Sequence, residues 1–525
     1  MQELRKLPIG VQSFERLRKD GFLYVDKTAF IWSLAHLGRQ YFLSRPRRFG
    51  KSLFLSTLRA YWEGKKKLFE GLNIAQLEKD NPDSWQKHPV FYFDFNGKNY
   101  QEANALEEVL DKHLGDWEKE YGLDHSDQPR SARFQDLLRL ANKRTGKGCV
   151  VLVDEYDKPL LEVMQNPELE EHNKAVFKGF FGTLKSCDEY LQFVFFTGVT
   201  KFSKVSIFSD LNQLEDISLN KNYAEICGIT EEELRKCFQP EIDRMAEENE
   251  MSAEQCMEKL RKTYDGYRFH NKGKNVYNPF SLLNALSSGD FGSFWFSTGT
   301  PTFLARRLRE TNFDVRQFTN HELYATGGML SDYRADNPDP VPLLYQTGYL
   351  TIQDYDRKGD YYSLGVPNTE VQYGLLESLM PEYMFRPEAA SGKDIITLKQ
   401  YAENGDLDGI HDVLTALFSS LPYTSDETPF EHYFQSIVYI AFTLLGKYTQ
   451  CEVHSARGRA DCIVETRQYV YLFEFKRDGT AENAIRQIKE KGYDLPYAAD
   501  SRKLIKIGVG FDSKTRALSD WKTEE

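Results

Sequence analysis

A short basic turn near the start of the chain carries the first residues that could do chemistry. In YFLSRPRRFGKSLFLSTLRAYWEG, an apolar strand leads into the turn, and an amphipathic helix follows Gly50-Lys51-Ser52. Backbone N–H groups at the start of such a helix bind phosphate oxygens, Lys51 reaches the β- and γ-phosphates, and the Ser52 hydroxyl ligates Mg²⁺. The order of these parts predicts a phosphate-binding P-loop, although Arg45 occupies the position of its first glycine.

Arginines make this loop unusually basic. Arg45, Arg47 and Arg48 could hold phosphate oxygens through side-chain hydrogen bonds, in addition to the backbone. The alternative is that Gly-Lys-Ser stands at a helix start by chance. The residues expected to bind the nucleotide are Arg47, Arg48, Phe49, Gly50, Lys51, Ser52, Leu53 and Asp154.

An acidic motif further along the chain fits the second half of such a site. VVLVDEYD is typical of a buried strand that ends in two acids. Asp154 is placed to hold a Mg²⁺ shell and Glu155 to polarise the attacking water. The alternative, a core strand that simply ends in polar residues, explains one acid more easily than two. The later segment FVFFTGVTK offers Thr197 or Thr200 as a γ-phosphate sensor, with a turn-forming threonine as the alternative.

Two carboxylates near the C-terminus form a different candidate site. GRADCIVETRQYVYLFEFK contains two β-rich runs that flank a two-residue turn, Arg467-Gln468. With that turn, Asp461 lies directly opposite Glu474, and Lys476 lies on the same face. Two facing carboxylates repel each other, and a divalent cation between them reverses the sign of that interaction. The pattern predicts a site for Mg²⁺ or Mn²⁺ that could hydrolyse phosphodiesters, with Lys476 activating a water.

Flanking helices could complete this second site. TPFEHYFQSIVYIAFTLLG begins at Thr428 and places Glu431 in its first turn as a further metal ligand. A capping box is the alternative role for Glu431. After the hairpin, GTAENAIRQIKEKGY predicts a helix that carries Gln487 beside an apolar face, with a solvated glutamine as the alternative.

The elements that must position these residues divide the chain into three expected domains. Strand-like runs alternate with helical patterns in the first part, which predicts an α/β P-loop NTPase domain with a parallel sheet over 1–222. Charged helices follow, and LLYQTGYLTIQDYDRKGDYYSLGVPN predicts two strands joined by a polar turn, so 223–394 is expected to be a helical, winged-helix-like region. The range 395–525 is expected to be an α/β domain of the restriction-endonuclease type.

Composition bounds the class of protein. At 525 residues, with 41% hydrophobic and 28% charged residues, the chain is typical of soluble globular protein. No apolar run is long enough to span a bilayer, and the N-terminus has no secretory signal, so a cytoplasmic protein without a membrane partner is expected. The 7 cysteines form no C-x-x-C pair and are expected to be reduced thiols. The net charge of -12 means that any nucleic acid must bind through local basic patches.

Taken together, these motifs resemble a bacterial family that joins an AAA-ATPase-like domain to a PD-(D/E)XK nuclease-superfamily domain. The resemblance covers nearly the full length and depends on LPIGVQSFERLRKDGFLYVDKT, RPRRFGKS, VDEYDKPL, YDGYRF, VYNPFSLLNAL, FWFSTGTP, LLYQTGYLT, LGVPNTEV, GRADCIVET, YLFEFK and AIRQIKEKGY. In that family an arginine stands where an ordinary Walker A motif has its first glycine, which accounts for Arg45.

The resemblance also implies roles for individual residues. Those of the Walker A and Walker B motifs would be Gly50, Lys51, Ser52, Asp154 and Glu155; those of the nuclease-type motif would be Asp461, Glu474 and Lys476, with Glu431 and Gln487 from the neighbouring helices. Tyr24, Asp26 and Lys27 would line the nucleotide base. The segment Gly458-Arg459-Ala460-Asp461 replaces the usual Pro-Asp, a common variation in the superfamily.

The leading functional hypothesis is an ATP-binding and ATP-hydrolysing protein with a metal-dependent nuclease-type domain that acts on DNA or RNA. Its cofactors would be ATP and Mg²⁺, or Mn²⁺ at the nuclease-type site. One alternative is a signalling or scaffold ATPase that switches with nucleotide and has a catalytically silent nuclease fold. Another is an NTPase whose last domain only recognises a partner. The oligomeric state is open, and a homo-oligomer is compatible with the sequence.

Overall fold

The computed structural model describes residues 5–124, 127–201, 213–296, 302–311, 313–320, 323–331, 339–384, 388–419, 430–446, 450–453, 461–515 and 517–525. These residues form two compact units. The first unit comprises Met1–Trp295 and Tyr324–Asn368, and the second comprises Phe296–Leu323 and Thr369–Glu525.

A five-stranded sheet is the centre of the first unit, and its order is β2-β3-β4-β1-β5. Neighbouring strands are parallel, which confirms the predicted α/β class. In a parallel sheet the carboxyl ends of all strands meet at one edge, so the P-loop and the acidic motif lie at the same edge. The strands are β1 (Gln40–Ser44), β2 (Val90–Asp94), β3 (Cys149–Asp154), β4 (Leu191–Gly198) and β5 (Glu215–Asp216).

Helices connect and flank this sheet. They are α1 (Phe14–Lys19), α2 (Thr28–Leu37), α3 (Lys51–Trp62), α4 (Asn73–Leu77), α5 (Ala105–Tyr121), α6 (Arg130–Thr145), α7 (Lys158–Leu161), α8 (Pro167–Phe181) and α9 (Thr183–Ser186). The residues of β3 are all buried, as expected for a central strand that is covered on both faces.

The charged helices predicted after the sheet are present. Capping boxes begin the first two of them, at Thr230 with Glu233 and at Ser252 with Gln255. Their apolar faces form a core that includes Leu234, Leu260 and Leu282. These helices are α10 (Glu231–Glu248), α11 (Ala253–Tyr264) and α12 (Pro279–Ser288).

The polar turn DRKGD does join two antiparallel strands, as predicted. They belong to a three-stranded sheet with the order β6-β8-β7. Four short helices precede the hairpin in the described part of this stretch. The elements of this stretch are α13 (Thr302–Glu310), α14 (Gln317–Asn320), β6 (Leu323–Ala325), α15 (Gly327–Ser331), α16 (Val341–Thr347), β7 (Thr351–Asp356) and β8 (Tyr361–Gly365).

The second unit contains a mixed five-stranded sheet with the order β13-β12-β11-β10-β9. The β11–β12 pair is parallel and the other pairs are antiparallel. Its remaining elements are α17 (Thr369–Met384), α18 (Glu388–Asn404), α19 (Leu407–Ser419), α20 (Phe430–Leu445), β9 (Gln450–Val453), β10 (Cys462–Glu465), β11 (Tyr469–Arg477), α21 (Ala481–Lys491), β12 (Lys503–Asp512) and β13 (Ala517–Glu524).

Among the described residues, no helix combines the length and the apolar character that crossing a membrane requires. The described cysteines, Cys149, Cys187, Cys227, Cys237, Cys256 and Cys462, are free thiols, and all but Cys237 are buried.

Candidate functional site

The P-loop turn connects β1 to α3. Gly50 caps the helix with a φ of 89°, a left-handed conformation that glycine adopts without strain, and no atom of the described residues lies within 4 Å of the position of a β-carbon there. Lys51 begins the helix and is buried. Its Nζ donates hydrogen bonds to the carbonyl oxygens of Arg45 at 3.0 Å and Pro46 at 3.1 Å. The ammonium group therefore lies across the loop, where it can exchange these carbonyls for phosphate oxygens.

Arg45 has a different role from the predicted phosphate contact. Its side chain is fully buried, and it donates hydrogen bonds to the carbonyl oxygens of Ser44 at 2.8 Å, Ser218 at 2.9 Å and Tyr223 at 2.9 Å. The guanidinium also lies 4.1 Å from the ring centre of Phe269. The prediction that Arg45 holds phosphate oxygens is wrong, because these carbonyls and this ring already surround the guanidinium group.

The other loop residues differ in how they could contact a nucleotide. Arg47 and Arg48 are exposed, and Arg48 has a φ of 67°. The ring of Phe49 is buried against Tyr267, with ring centres 4.7 Å apart. Only the backbone of Phe49 could therefore bind phosphate. Leu53 lies half-buried in the first turn of α3, so its backbone N–H is the group that could contribute.

Asp154 ends β3 and is buried beside the P-loop helix. The Tyr92 hydroxyl donates to its Oδ2 at 3.1 Å, while Oδ1 is buried and accepts no hydrogen bond from the described residues. Burial raises the pKa of Asp154 to about 6, and Ser52 and Lys51 oppose that rise. A buried carboxylate oxygen without a partner, close to a hydroxyl, fits the oxygen ligands that Mg²⁺ requires.

Glu155 follows Asp154 in a left-handed conformation, with a φ of 49°. The two threonines proposed as phosphate sensors are both buried and both have protein partners. The Thr197 hydroxyl donates to the Leu43 carbonyl oxygen at 3.0 Å, and the Thr200 hydroxyl donates to Asp157 Oδ2 at 2.8 Å. Both hydroxyls therefore form hydrogen bonds within the protein. This favours the structural alternative over a role as γ-phosphate sensors.

In the YVDKT segment, Asp26 and Lys27 already have protein partners. Asp26 accepts hydrogen bonds from the backbone N–H groups of Thr28 at 2.9 Å and Asn73 at 2.7 Å. Lys27 forms an ion pair of 2.7 Å with Glu233. These contacts assign Asp26 to joining α2 with α4, and Lys27 to joining the start of α2 with α10.

The C-terminal hairpin has the predicted register. Cys462 pairs with Phe473 and Glu465 with Val470, so the turn lies at Arg467-Gln468. Asp461, which comes directly before β10, is consequently opposite Glu474. The Asp461 N–H donates to Glu474 Oε2 at 3.4 Å, and Asp461 Oδ2 accepts from the Phe475 N–H at 2.8 Å.

Three further contacts join Glu474 to Lys476 and Gln487. Lys476 Nζ donates to Glu474 Oε1 at 2.9 Å and to Gln487 Oε1 at 2.7 Å, and Gln487 Nε2 donates to Glu474 Oε1. Burial raises the pKa of Glu474, Asp461 raises it further, and Lys476 opposes the rise. Burial likewise raises the pKa of Asp461. Two neighbouring carboxyl groups with raised pKa values are suited to bind a divalent cation, because the cation stabilises their charged forms.

A glycine allows the helix that carries Gln487 to approach the sheet. Glu474 on β11 pairs with Gly508 on β12. A β-carbon on Gly508 would lie 2.2 Å from the carbonyl oxygen of Ala481, the first residue of α21. Glu431 belongs to α20, but its side chain lies outside the described residues, as do Thr428 and residues 458–460. The described residues contain no group of three or more His, Cys, Asp or Glu side chains arranged for a metal ion.

Sequence reasoning missed two residues of the first site. Tyr92 on β2 reaches Asp154 through its hydroxyl, and Asp157 accepts a hydrogen bond from Thr200, just after the end of β4. The only sequence signal was position, since Tyr92 lies in the strand-like run VFYFDF and Asp157 lies in VVLVDEYD.

Comparison with known proteins gives three findings. A family model described as predicted AAA-ATPase matches residues 8–208, and one described as PD-(D/E)XK nuclease superfamily matches residues 429–521. A curated relative from Azotobacter chroococcum mcd 1, named "Uncharacterized protein in vnfD 5'region", is 37% identical over 526 residues, which cover 98% of each chain. No solved structure matches this chain.

Proposed function

The chain belongs to the family of this Azotobacter relative, with a predicted AAA-ATPase domain and a PD-(D/E)XK nuclease-superfamily domain, and from this premise we propose that it binds and hydrolyses ATP and cleaves DNA or RNA with a divalent cation. The observation that carries the proposal is Asp154, a buried carboxylate at the P-loop edge of the sheet, one oxygen of which has no hydrogen-bond partner among the described residues. We also propose a cytoplasmic location, and a division into domains at 1–222, 223–394 and 395–525.

At the first site, the N–H groups from Arg47 to Leu53 would bind the phosphates. Lys51 would exchange the carbonyl oxygens of Arg45 and Pro46 for the β- and γ-phosphates. Ser52 and Asp154 would hold Mg²⁺, and Glu155 would orient and polarise the attacking water. Arg47 and Arg48 are exposed, so their side chains are available to phosphate oxygens.

At the second site, Asp461 and Glu474 would hold Mg²⁺ or Mn²⁺, with Glu431 as a further ligand. The cation would supply charge neutralisation at the phosphate. Lys476 would orient the attacking water by donating a hydrogen bond to it, because its ammonium lies on the same face as both carboxylates. Gln487 would hold Lys476 in place through its Oε1 atom.

The test incubates the purified full chain with labelled DNA or RNA and with Mg²⁺ or Mn²⁺, with and without ATP. Cleavage of the nucleic acid and hydrolysis of ATP are both measured. Lys51→Ala should abolish ATP hydrolysis and Glu474→Gln should abolish cleavage. Lys67→Ala and Glu490→Gln, which change exposed residues of the same types, should retain both activities. Loss of cleavage in Lys51→Ala as well would mean that the two activities are coupled. A wild-type protein that hydrolyses ATP but cleaves neither substrate would contradict the nuclease part of the proposal.

A nucleotide-switched scaffold with a silent nuclease fold is the second candidate. The observation that favours it is that Glu474 Oε1 already has two protein partners, Lys476 and Gln487. A cation must compete with both of them. Calorimetric titration of Mn²⁺ into wild type and Glu474→Gln separates the candidates, because a silent fold would give the same absence of binding in both.

A further inference from the structure

The turn that carries Glu155 is an unusual piece of backbone. Glu155 has a φ of 49°, a left-handed conformation that is uncommon for a residue with a β-carbon. The Lys158 N–H closes the turn by donating to the Glu155 carbonyl oxygen at 3.1 Å. Such a conformation persists only where surrounding contacts impose it. The contacts that hold this turn therefore decide where the Glu155 carboxylate lies.

One set of contacts comes from Tyr156. Its N–H donates to the Thr197 carbonyl oxygen at 3.2 Å, and its hydroxyl donates to the Thr200 carbonyl oxygen at 2.9 Å. The side chain is fully buried. Tyr156 thus joins the turn to both the last residues of β4 and the segment that follows.

A second and tighter set comes from Asp157. Its Oδ2 accepts hydrogen bonds from the N–H groups of Val199 at 2.9 Å and Thr200 at 2.6 Å, and from the Thr200 hydroxyl at 2.8 Å. Gly198 makes this approach possible, because a β-carbon there would lie 2.4 Å from Asp157 Oδ1. Asp157 is 1% exposed. Three donors converge on one buried oxygen, which is the arrangement that stabilises a carboxylate rather than an amide.

We propose that Asp157 is a positioning residue, which fixes the Glu155 turn against the end of β4 and so places the Glu155 carboxylate for ATP hydrolysis. This inference depends on the proposed role of Glu155. Charge-assisted hydrogen bonds are about twice as strong as neutral ones, so the carboxylate holds the turn more rigidly than an amide would. Asp157 Oδ2 already accepts three hydrogen bonds from the protein, so its effect is exerted through the backbone that follows Glu155.

The test compares Asp157→Asn with wild type in the full chain, and uses Asp80→Asn, an exposed residue, as the matched control. Hydrogen exchange of the Val199 and Thr200 amides is measured by mass spectrometry, together with the kcat and KM of ATP hydrolysis and the melting temperature. In Asp157→Asn we expect these amides to exchange about tenfold faster and kcat to fall about tenfold, since small misplacements of a catalytic group are costly. KM and melting temperature should stay close to wild type.

A second pair of variants separates positioning from simple support of the fold. Thr200→Val removes the hydroxyl that Asp157 accepts, and Thr200→Ser keeps it. Thr200→Val should lower kcat, as Asp157→Asn does, and Thr200→Ser should keep kcat close to that of wild type.

Two outcomes would overturn the inference. One is unchanged exchange of the Val199 and Thr200 amides in Asp157→Asn; the other is a fall in kcat that is matched by a rise in KM and a loss of melting temperature. A wild-type protein without ATPase activity would contradict the proposed function instead. The exchange measurement distinguishes the two failures, because it reports the hydrogen bonds from the Val199 and Thr200 amides to Asp157 without any need for hydrolysis.

Discussion

Restoring the missing glycine of the P-loop should damage this protein. An ordinary Walker A motif has glycine where Arg45 stands, so Arg45→Gly makes the motif more regular. In this structure the change removes a buried guanidinium that donates to the carbonyl oxygens of Ser44, Ser218 and Tyr223 and lies over the Phe269 ring. Those carbonyl groups would lose their donor inside the protein.

The magnitude follows from those contacts. A buried acceptor that loses its partner costs about 1–3 kcal/mol, and a desolvated cation–π contact contributes about 2 kcal/mol. Against this, burial of the charge is itself unfavourable, which is why it lowers the pKa of Arg45. The net loss should be about 4 kcal/mol, a large part of the stability of a typical domain. In a domain of this size, that loss corresponds to about 10 °C in melting temperature.

Thermal unfolding of Arg45→Gly, Arg45→Lys and Arg47→Gly checks this reasoning. Arg47 is exposed and lies two residues further on, so Arg47→Gly controls for the added backbone freedom and should cost about 1 kcal/mol at most. Arg45→Lys should be intermediate, because an ammonium keeps the charge without the planar set of donors. If Arg45→Gly melted within about 2 °C of wild type, the structural role of Arg45 would be refuted.

Two further predictions follow from single sites. Burial raises the pKa of Asp154 from its ordinary 3.8 to about 6, so its ionisation destabilises the folded protein increasingly as the pH rises across that range. At pH 7.5 without Mg²⁺, the free energy of unfolding of Asp154→Asn should therefore exceed that of wild type by up to about 3 kcal/mol, and the variant should melt at a higher temperature. This difference should shrink towards pH 4, and the variant should not hydrolyse ATP. Gly508→Ala should push α21 away from β12 and lower both melting temperature and cleavage, at a cost of about 1–3 kcal/mol. Gly115→Ala lies inside α5 with no described atom within 4 Å of the added β-carbon, so it should stabilise the protein slightly, by up to about 1 kcal/mol. Equal melting temperatures for Asp154→Asn and wild type at both pH values, or for both glycine variants, would contradict these arguments.

The second site could be predicted closely because its geometry is local. The hairpin register follows from the position of a two-residue turn and from strand alternation, so the sequence was enough to place Asp461 opposite Glu474. The contact between Lys476 and Gln487 required more. It depends on how near α21 approaches the sheet, which Gly508 permits from a different strand.

The first site was predicted in its motif but not in its surroundings. The strands and the P-loop helix follow from hydrophobic pattern and motif order, whereas the position of β4 between β1 and β3 has no local signal. The partners of Arg45 and Phe49 include Phe269 and Tyr267, which are far away along the chain. Contacts of that range depend on tertiary packing, and the sequence did not reveal that Arg45 faces the interior.

Direct binding of MgATP to the full chain tests the central claim, that Lys51, Ser52 and Asp154 form a nucleotide site. Isothermal titration should give saturable binding to wild type, at least tenfold weaker binding to Lys51→Ala, and wild-type affinity in Lys67→Ala, since one lost phosphate contact of this kind costs at least about 1.4 kcal/mol. Omitting Mg²⁺ should weaken binding to wild type and have little effect on Asp154→Asn. Absence of saturable binding to a folded wild-type protein, or equal affinities of wild type and Lys51→Ala, would contradict the account.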